Sequence, residues 1–308
     1  GATFGGPLKR DRAFFFVSYQ TTRERNGASF WNSLTVNVPI DPLLTNDRSE
    51  ATLRTTYNMP AINPAALRLL NARLPNGQFL IPTPQAGGRF SGSAISNFRD
   101  EQFNANFDYR INQRNLLSVK FFYSNAPQVV ALGDQTLVPG VSIKQKNSNR
   151  ILSVQDIHTF NSNITNSARF GYNFIGSNGS PQQEVGNSDF GITRSTASDF
   201  PGLPLIAAFG ISFGTGQAED VQTGAPTLSF ADTISITRGK HTFRLGAEIR
   251  TYRFDTTNNF LTRGSIGIDT FTDFLNGSIL FSSLGNGIKK RDLRTADYNF
   301  FVQDDWKI

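Results

Sequence analysis

Three side chains of one strand-like run are of the types that carry out nucleophilic catalysis. Ser153, Asp156 and His158 lie within residues 151–160, a run that reads ILSVQDIHTF. A Ser–His–Asp triad requires hydrogen bonds that connect all three side chains. Residues 156 and 158 share a face of an extended strand, but that spacing alone does not bring their side chains into contact. We therefore predict no enzymatic activity and no catalytic residue.

Metal and cofactor chemistry is equally poorly supported. Asp41, Asn46, Asp47 and Glu50 offer oxygen ligands, but they lack the spacing and the central glycine of a calcium loop. The glycine-rich residues 210–216 do not follow a βαβ pattern, so no nucleotide site is predicted. The chain has no cysteine and only two histidines, which excludes cysteine-ligated metals and makes a multi-histidine site improbable. We expect no metal and no cofactor.

The net charge of +6 arises from 30 basic and 24 acidic residues among 308. The basic residues are scattered along the sequence and do not form one stripe or one recognition helix, so we expect no nucleic-acid partner. With 28 phenylalanines the chain can bury a sizeable core, and intrinsic disorder is not expected. A mean hydropathy of −0.30 and the absence of an 18-residue apolar run exclude membrane-spanning helices.

Alternation of apolar and polar residues predicts eight β-strands. Six runs form three pairs, each joined by a turn of four residues, which is typical of β-hairpins. The paired runs are 103–111 with 116–124, 151–160 with 165–174, and 227–236 with 241–253. Single runs occupy 12–20 and 295–306. The predicted fold class is therefore all-β and antiparallel.

The alternation divides these strands into two sets of side chains. The apolar set, with large hydrophobic side chains, is Phe107, Tyr109, Phe121, Tyr123, Phe170, Tyr172, Phe243 and Leu245. The polar set, at the intervening positions, is Asn104, Asn106, Arg110, Lys120, Arg169, Arg244, Glu248 and Arg250. In a transmembrane barrel the first set would face lipid and the second the lumen. Periodicity alone fits a soluble β-sandwich equally well.

The connections between the strands favour the barrel. The turns inside the hairpins have four residues, whereas the links between hairpins span 21–98, 125–149, 175–225 and 254–294. Short turns at one end and long loops at the other are typical of outer-membrane barrels, with the short turns in the periplasm. In the first link, Asn63 and Pro64 predict the start of a helix that ends before Pro75. For loop aromatics such as Phe79 and Phe213, packing within the loops is the simpler interpretation than ligand stacking.

Asp156 and Asp232 interrupt the apolar alternation of their strands. Either a β-bulge switches the face at these positions or the two carboxylates lie near the membrane rim. A carboxylate that faces lipid at the bilayer midplane is costly, so we predict the rim.

Six sequence stretches, in this order, resemble the TonB-dependent outer-membrane receptors, and most closely the Oar-like group. They are GGPLKRDRAFFFVSYQ (5–20), INPAALRLLNARLPN (62–76), NFRDEQFNANFDYRINQRNLLSVKFFYS (97–124), NITNSARFGYNF (163–174), TRGKHTFRLGAEIRTYRF (237–254) and YNFFVQDDWKI (298–308). In that group a carboxypeptidase-regulatory-like domain typically precedes the plug. The resemblance implies that residues 1–11 lead out of the plug and that 12–308 form about the first eight strands of a larger plugged barrel.

The resemblance also implies a function, a location and partners. It implies energised passage of a large solute, an oligosaccharide, peptide or metal chelate, through the outer membrane of a Gram-negative-type bacterium. The partners would be outer-membrane lipid, the protein's own plug domain and a TonB-type energiser in the inner membrane. The ligand and its binding residues stay unknown. The alternative is a surface β-rich adhesion or binding module without energised transport.

Overall fold

The computed structural model describes residues 1–25, 35–74, 76–93, 95–130, 141–183, 190–216, 221–258 and 260–308. Pro75, before which the predicted helix should end, lies outside these residues, as do the loop aromatics Phe30 and Trp31. No described helix is long and apolar enough to cross a membrane.

The described residues form fifteen strands and three short helices. The first half of the chain contains β1 (Ala2–Lys9), β2 (Ala13–Arg25), β3 (Thr35–Pro39), α1 (Glu50–Tyr57), α2 (Pro64–Asn71), β4 (Arg89–Ser93), β5 (Asn97–Arg110) and β6 (Asn115–Val130). The second half contains β7 (Val141–Asn161), β8 (Ile164–Gln183), β9 (Leu205–Ala208), β10 (Ile211–Phe213), β11 (Val221–Arg238), β12 (His241–Asn258), β13 (Ser265–Ile268), α3 (Phe271–Asn276), β14 (Phe281–Ser283) and β15 (Lys290–Trp306).

Nine of the strands form one antiparallel sheet in the order β1-β2-β5-β6-β7-β8-β11-β12-β15. Each of the eight predicted runs is a strand of this sheet, which confirms the all-β antiparallel prediction. The ninth strand, β1, was not predicted and pairs with β2 at one edge. The assignment of residues 1–11 to a linker from a plug stays a prediction. The sheet is open, with β1 and β15 at its two edges.

The strands are longer than the sequence predicted. At the short-turn end, two of the turns have only two residues each, 162–163 and 239–240, whereas we expected four residues in each turn. β7 and β8 also extend further at the opposite end, and their total lengths are 21 and 20 residues. At about 3.3 Å per residue and a tilt of about 45°, 21 residues rise about 50 Å, well beyond the ~30 Å hydrocarbon layer.

The long links fold together into one unit, which we call the cap. It comprises β3, α1, α2 and β4 from the first link, β9 and β10 from a second, and β13, α3 and β14 from a third. β9 pairs in parallel with β13, so two links share the four-stranded sheet β10-β9-β13-β14. Asn63 caps α2 as predicted, and its backbone N–H donates to the Leu275 carbonyl of α3 at 2.8 Å.

One hydrophobic core joins the three links. It includes Leu53 and Leu70 from the first link, Ile206 and Phe213 from the second, and Phe274 from the third, all nearly inaccessible to solvent. Phe213 therefore packs inside the cap, as the sequence analysis favoured. Burial of each such side chain contributes roughly 1.5–3 kcal/mol, which offsets the conformational entropy lost by ordering the long links.

The arginine Arg48 is buried in this core. Arg48 is 1% exposed and donates from Nη1 to the carbonyl oxygen of Ile81 at 2.8 Å, and to the carbonyl oxygen of Leu70. Leu70 lies in the last turn of α2, where the helix dipole favours a cation. The guanidinium also covers the Phe79 ring, with Cζ 3.6 Å from the ring centroid. Burial, and secondly repulsion from Arg73, lowers the pKa of Arg48 to about 10, so the group stays charged at neutral pH.

We expect Arg48→Met to destabilise the cap. Methionine leaves the carbonyl oxygens of Leu70 and Ile81 without their donor, which costs about 3 kcal/mol in total. Amide hydrogen exchange of the whole protein in detergent then shows α2 exchanging about a hundredfold faster. Arg54→Met, at an exposed position of α1, is the matched control and leaves the exchange rates unchanged. Equal protection in both variants contradicts this role for Arg48.

Candidate functional site

The register of the large sheet divides its side chains between two faces. Every residue of the apolar set lies on one face, which we call the apolar face. Phe107 lies opposite Val119, Phe121 opposite Leu152, and Phe170 opposite Phe230, where the two rings are 5.0 Å apart. The same face continues through Tyr298, Phe300 and Val302 of β15, which are 64–76% exposed. Eight neighbouring strands thus present one continuous hydrophobic surface to their surroundings.

Every residue of the polar set lies on the opposite face, which we call the polar face. Asn104 donates to the Ser18 hydroxyl at 3.1 Å. Arg250 pairs with Glu248, and Arg244 lies 3.4 Å from Asp305. These contacts are exposed or half-buried ion pairs and hydrogen bonds, and ion pairs of this kind contribute about 0–1 kcal/mol each. The structure brings the predicted residues together by face.

Two carboxylates lie on the apolar face near the short turns. Asp156 and Asp232 flank Ala168 in adjacent strand pairs, and the register runs without a bulge at both positions. Asn166 donates to Asp232, and Asn115 Nδ2 lies 3.5 Å from Asp156 Oδ2. Of our two explanations, the face switch is therefore wrong. Their location at the membrane rim stays a prediction.

Aromatic rings accompany the ionisable groups at this end of the apolar face. The His241 ring stacks on Phe243 and Trp306, with ring centroids 5.7 and 5.6 Å apart. His241 Nδ1 also lies 2.7 Å from Asp304 Oδ2. Girdles of aromatic side chains are typical of the interfaces between a barrel's apolar band and water. The cluster fits such an interface on the short-turn side.

The three catalytic candidates do not assemble. Ser153 lies on the polar face, whereas Asp156 and His158 lie on the apolar face. His158 Nδ1 contacts Asn115 Oδ1 at 2.7 Å, so its ring is engaged by an amide. The sheet itself separates the hydroxyl from the imidazole, and these residues cannot form a hydrogen-bonded triad.

Two of the residues that the sequence analysis considered as calcium ligands, Asp41 and Asp47, form hydrogen bonds within the cap. Asp41 accepts a hydrogen bond from the Tyr57 hydroxyl at 2.8 Å, and burial raises the pKa of Tyr57 well above its usual range. Asp47 accepts from Thr52 Oγ1 at 2.7 Å, which together with Ser49 lowers the pKa of Asp47. Among the described residues no group of three or more His, Cys, Asp or Glu is arranged to hold a metal ion.

The cap contains one small cavity that the sequence analysis missed. A hollow of about 210 Å³ is lined by Leu74, Phe79, Pro82 and Phe90, among others. It is below the 300–1,000 Å³ usual for small-molecule sites. The residues that line the cavity lie between positions 74 and 90 and show no periodic pattern. The cavity therefore could not be predicted from the sequence.

The family comparison decides the identity of this two-faced sheet. The family described as an outer membrane beta barrel domain matches residues 1–308. The chain belongs to this family. Membership places it in the cell outer membrane, as predicted. No curated protein matches the chain.

Solved structures of outer-membrane proteins resemble this barrel domain. The outer membrane transporter YddB from Escherichia coli has a TM-score of 0.50 at 9% identity, covering 99% of this chain and 31% of that protein. The siderophore receptor PiuA from Acinetobacter baumannii scores 0.37 at 9% identity, covering 98% and 38%. The ferric yersiniabactin uptake receptor FyuA from Yersinia pestis scores 0.35 at 7% identity, covering 98% and 40%. The likeness to YddB is one of fold, and the barrel domain spans about a third of that transporter.

We expect opposite results from one substitution at two adjacent positions of β6. Phe121 lies on the apolar face, six residues from the strand's inner end, and Phe122 on the polar face. If the apolar face contacts lipid, Phe121→Arg costs about 2–4 kcal/mol near the midplane, whereas Phe122→Arg costs much less. The folded fraction in outer-membrane preparations of the full-length protein, measured by heat-modifiable migration, gives the comparison. Equal losses in both variants would contradict the assignment of lipid to the apolar face.

Proposed function

We propose that the chain forms the first part of the wall of a plugged, TonB-dependent outer-membrane receptor. The observation that carries this proposal is the register, which collects the apolar set on one face and the polar set on the other across eight strands. A wall of this kind needs lipid on its apolar side and water or a plug on its polar side. The Oar-like group is proposed on the six sequence stretches alone.

In this proposal the polar face lines the lumen. Within the polar set the five cations outnumber the carboxylate Glu248, but further carboxylates lie on the same face, among them Asp100, Asp108, Asp297 and Asp305. A lumen wall that carries charges of both signs would contact the polar loops of a plug. The plug domain is thus the first partner of the wall, and the energiser acts on the plug from the periplasm.

The cap supplies the outer surface in this proposal. Its three links form one core, so it presents a rigid surface above the wall. Rigid surfaces bind solutes with a smaller loss of conformational entropy than mobile loops do. We propose that the cap makes the first contact with a large solute, an oligosaccharide, peptide or metal chelate.

Energised movement of the plug should change access to the lumen. Because the chain has no cysteine, Arg169→Cys and Phe170→Cys give single reporters on opposite faces of β8. In cells that produce the full-length protein, without other cysteines, we expect a membrane-impermeant maleimide to label position 169. Labelling is faster with the energiser than without it, because plug movement admits the reagent. Position 170, in contact with lipid, is the control and is unreactive in both strains.

Two results would overturn the transport proposal. One is labelling at position 169 that is independent of the energiser. The other is a gene that encodes no plug domain upstream of Gly1. Both together would favour the surface adhesion or binding module.

A further inference from the structure

We propose that the apolar face carries a binding site for phosphate-bearing lipid headgroups at its outer end, toward the long links. This rests on the proposed assignment of that face to lipid. The site is a row of arginines, the arginine belt, with lysines beyond it. The belt is Arg23, Arg99, Arg150, Arg253 and Arg294, one on each of five strands.

The belt lies at one level of the wall. Each of its arginines is ten to twelve residues from the short-turn end of its strand, counted from the strand bounds. Eleven residues span about 36 Å of strand and rise about 26 Å at a tilt of about 45°. The apolar band of a transmembrane barrel is about 25 Å tall, so the belt coincides with its outer edge. Headgroup phosphates occupy that level in a bilayer.

The lysines stand above the belt on the same face. Lys144, Lys146 and Lys290 are 15 to 17 residues from the short-turn ends of β7 and β15. Arg25 adds a further cation at the end of β2. Among the residues that the structure describes, nine cations therefore occupy the outer end of the apolar face, against the three carboxylates Glu101, Asp255 and Asp292.

The three carboxylates engage only part of the belt. Asp292 lies 2.9 Å from Arg253 and 2.6 Å from Arg294, and Glu101 pairs with Arg99. Arg150 instead covers the Phe174 ring, with Cζ 5.4 Å from the ring centroid. Within the described part of the chain no carboxylate lies within 4 Å of the charged groups of Arg23, Arg150, Lys144 or Lys146. These four cations have charge to offer to an external anion.

The surface between the cations is concave. A hollow of about 490 Å³ lies between Arg99, Lys144 and Lys146, with Pro127 and Val129 on its floor. A second of about 350 Å³, over Gly176 and Gly224, shares Lys146 with the first. The hydrophobic surface continues directly below both hollows. A ligand with an anionic head and apolar chains therefore matches the site, because the chains can lie on Phe121 and Phe170 while the head meets the cations.

The shared chemistry of the ligand is the phosphate group, and we assign it to lipid. Arginine binds phosphate through two parallel hydrogen bonds, and lysine binds it as a point charge. A free phosphate ion would gain nothing from the apolar surface below. A basic residue near an anionic membrane surface contributes about 1 kcal/mol, which is about fivefold in affinity for each cation.

Native mass spectrometry of the full-length protein in detergent tests the proposal with dioleoyl phosphatidic acid and dioleoyl phosphatidylcholine as probes. One variant, called the belt variant, removes two arginines of the belt and two of the lysines above it. It carries Arg23→Gln, Arg150→Gln, Lys144→Gln and Lys146→Gln. The matched control carries Arg110→Gln, Lys120→Gln, Arg169→Gln and Arg291→Gln, which removes the same charge from the polar face. We expect the native protein to prefer phosphatidic acid. The belt variant loses at least about tenfold of that affinity, and the control stays within about twofold of the native protein.

Three outcomes overturn the proposal. They are unchanged affinity in the belt variant, an equal loss in the control, which would indicate bulk charge, and saturable binding of inorganic phosphate alone, which would indicate a free-anion site. If the belt variant fails to assemble, Lys146→Gln alone is expected to lower the affinity about fivefold. The measurement involves neither plug nor energiser, so its failure is distinct from failure of the transport proposal. Failure of the lipid-face assignment itself is reported by the Phe121→Arg and Phe122→Arg pair.

Discussion

Backbone pairing between neighbouring strands is the constraint on which the rest of the structure depends. In a membrane each peptide N–H and C=O must find a partner within the protein, and a sheet satisfies them only between strands. The antiparallel register that results also fixes the faces, because side chains alternate with a period of two. A shift of one residue in β6 would exchange Phe121 with Phe122 and bring Lys120 to the apolar face. The register therefore decides chemistry as well as geometry.

The cap obeys a different rule, because it lies beyond the sheet and buries its own core. Its helices have eight, eight and six residues, too few to be stable alone in water. They are held by burial against one another and by Arg48, which satisfies carbonyl oxygens from two segments at once. A cation in a core is costly unless its hydrogen bonds are complete. The hydrogen bonds of Arg48 to Leu70, Ile81 and Thr83, and its contact with Phe79, meet that requirement.

The sequence predicted the parts of the fold where one face must differ from the other. Alternation identified eight of the nine strands of the large sheet, and Asn63 with Pro64 identified the start of α2. It missed the outer nine residues of β7 and of β8, because residues 141–149 and 175–183 are mostly polar and small and show no apolar alternation. β1 was missed because Gly5, Gly6 and Pro7 disfavour a strand except at an edge.

The same reasoning explains what was missed in the candidate sites. The apolar and polar sets could be read from single strands, since each depends on local spacing. The arginine belt could not, because its members are aligned only when each is counted from its own turn. Such a count requires the ends of the strands, which the structure provides and the sequence alone does not. No local sequence pattern predicts the pairing of β9 with β13, since the two strands are 60 residues apart.

The parallel pairing of β9 with β13 has a consequence for biogenesis. Between these strands the chain passes through β11 and β12, so it travels down the full wall and returns before β13 can meet β9. The pairing of β9 with β13 can therefore form only when the chain has returned to the end of the sheet from which it left. Contacts of such high sequence separation form late in folding. A closed cap thus holds the start and the end of the β11–β12 hairpin at the same end of the sheet.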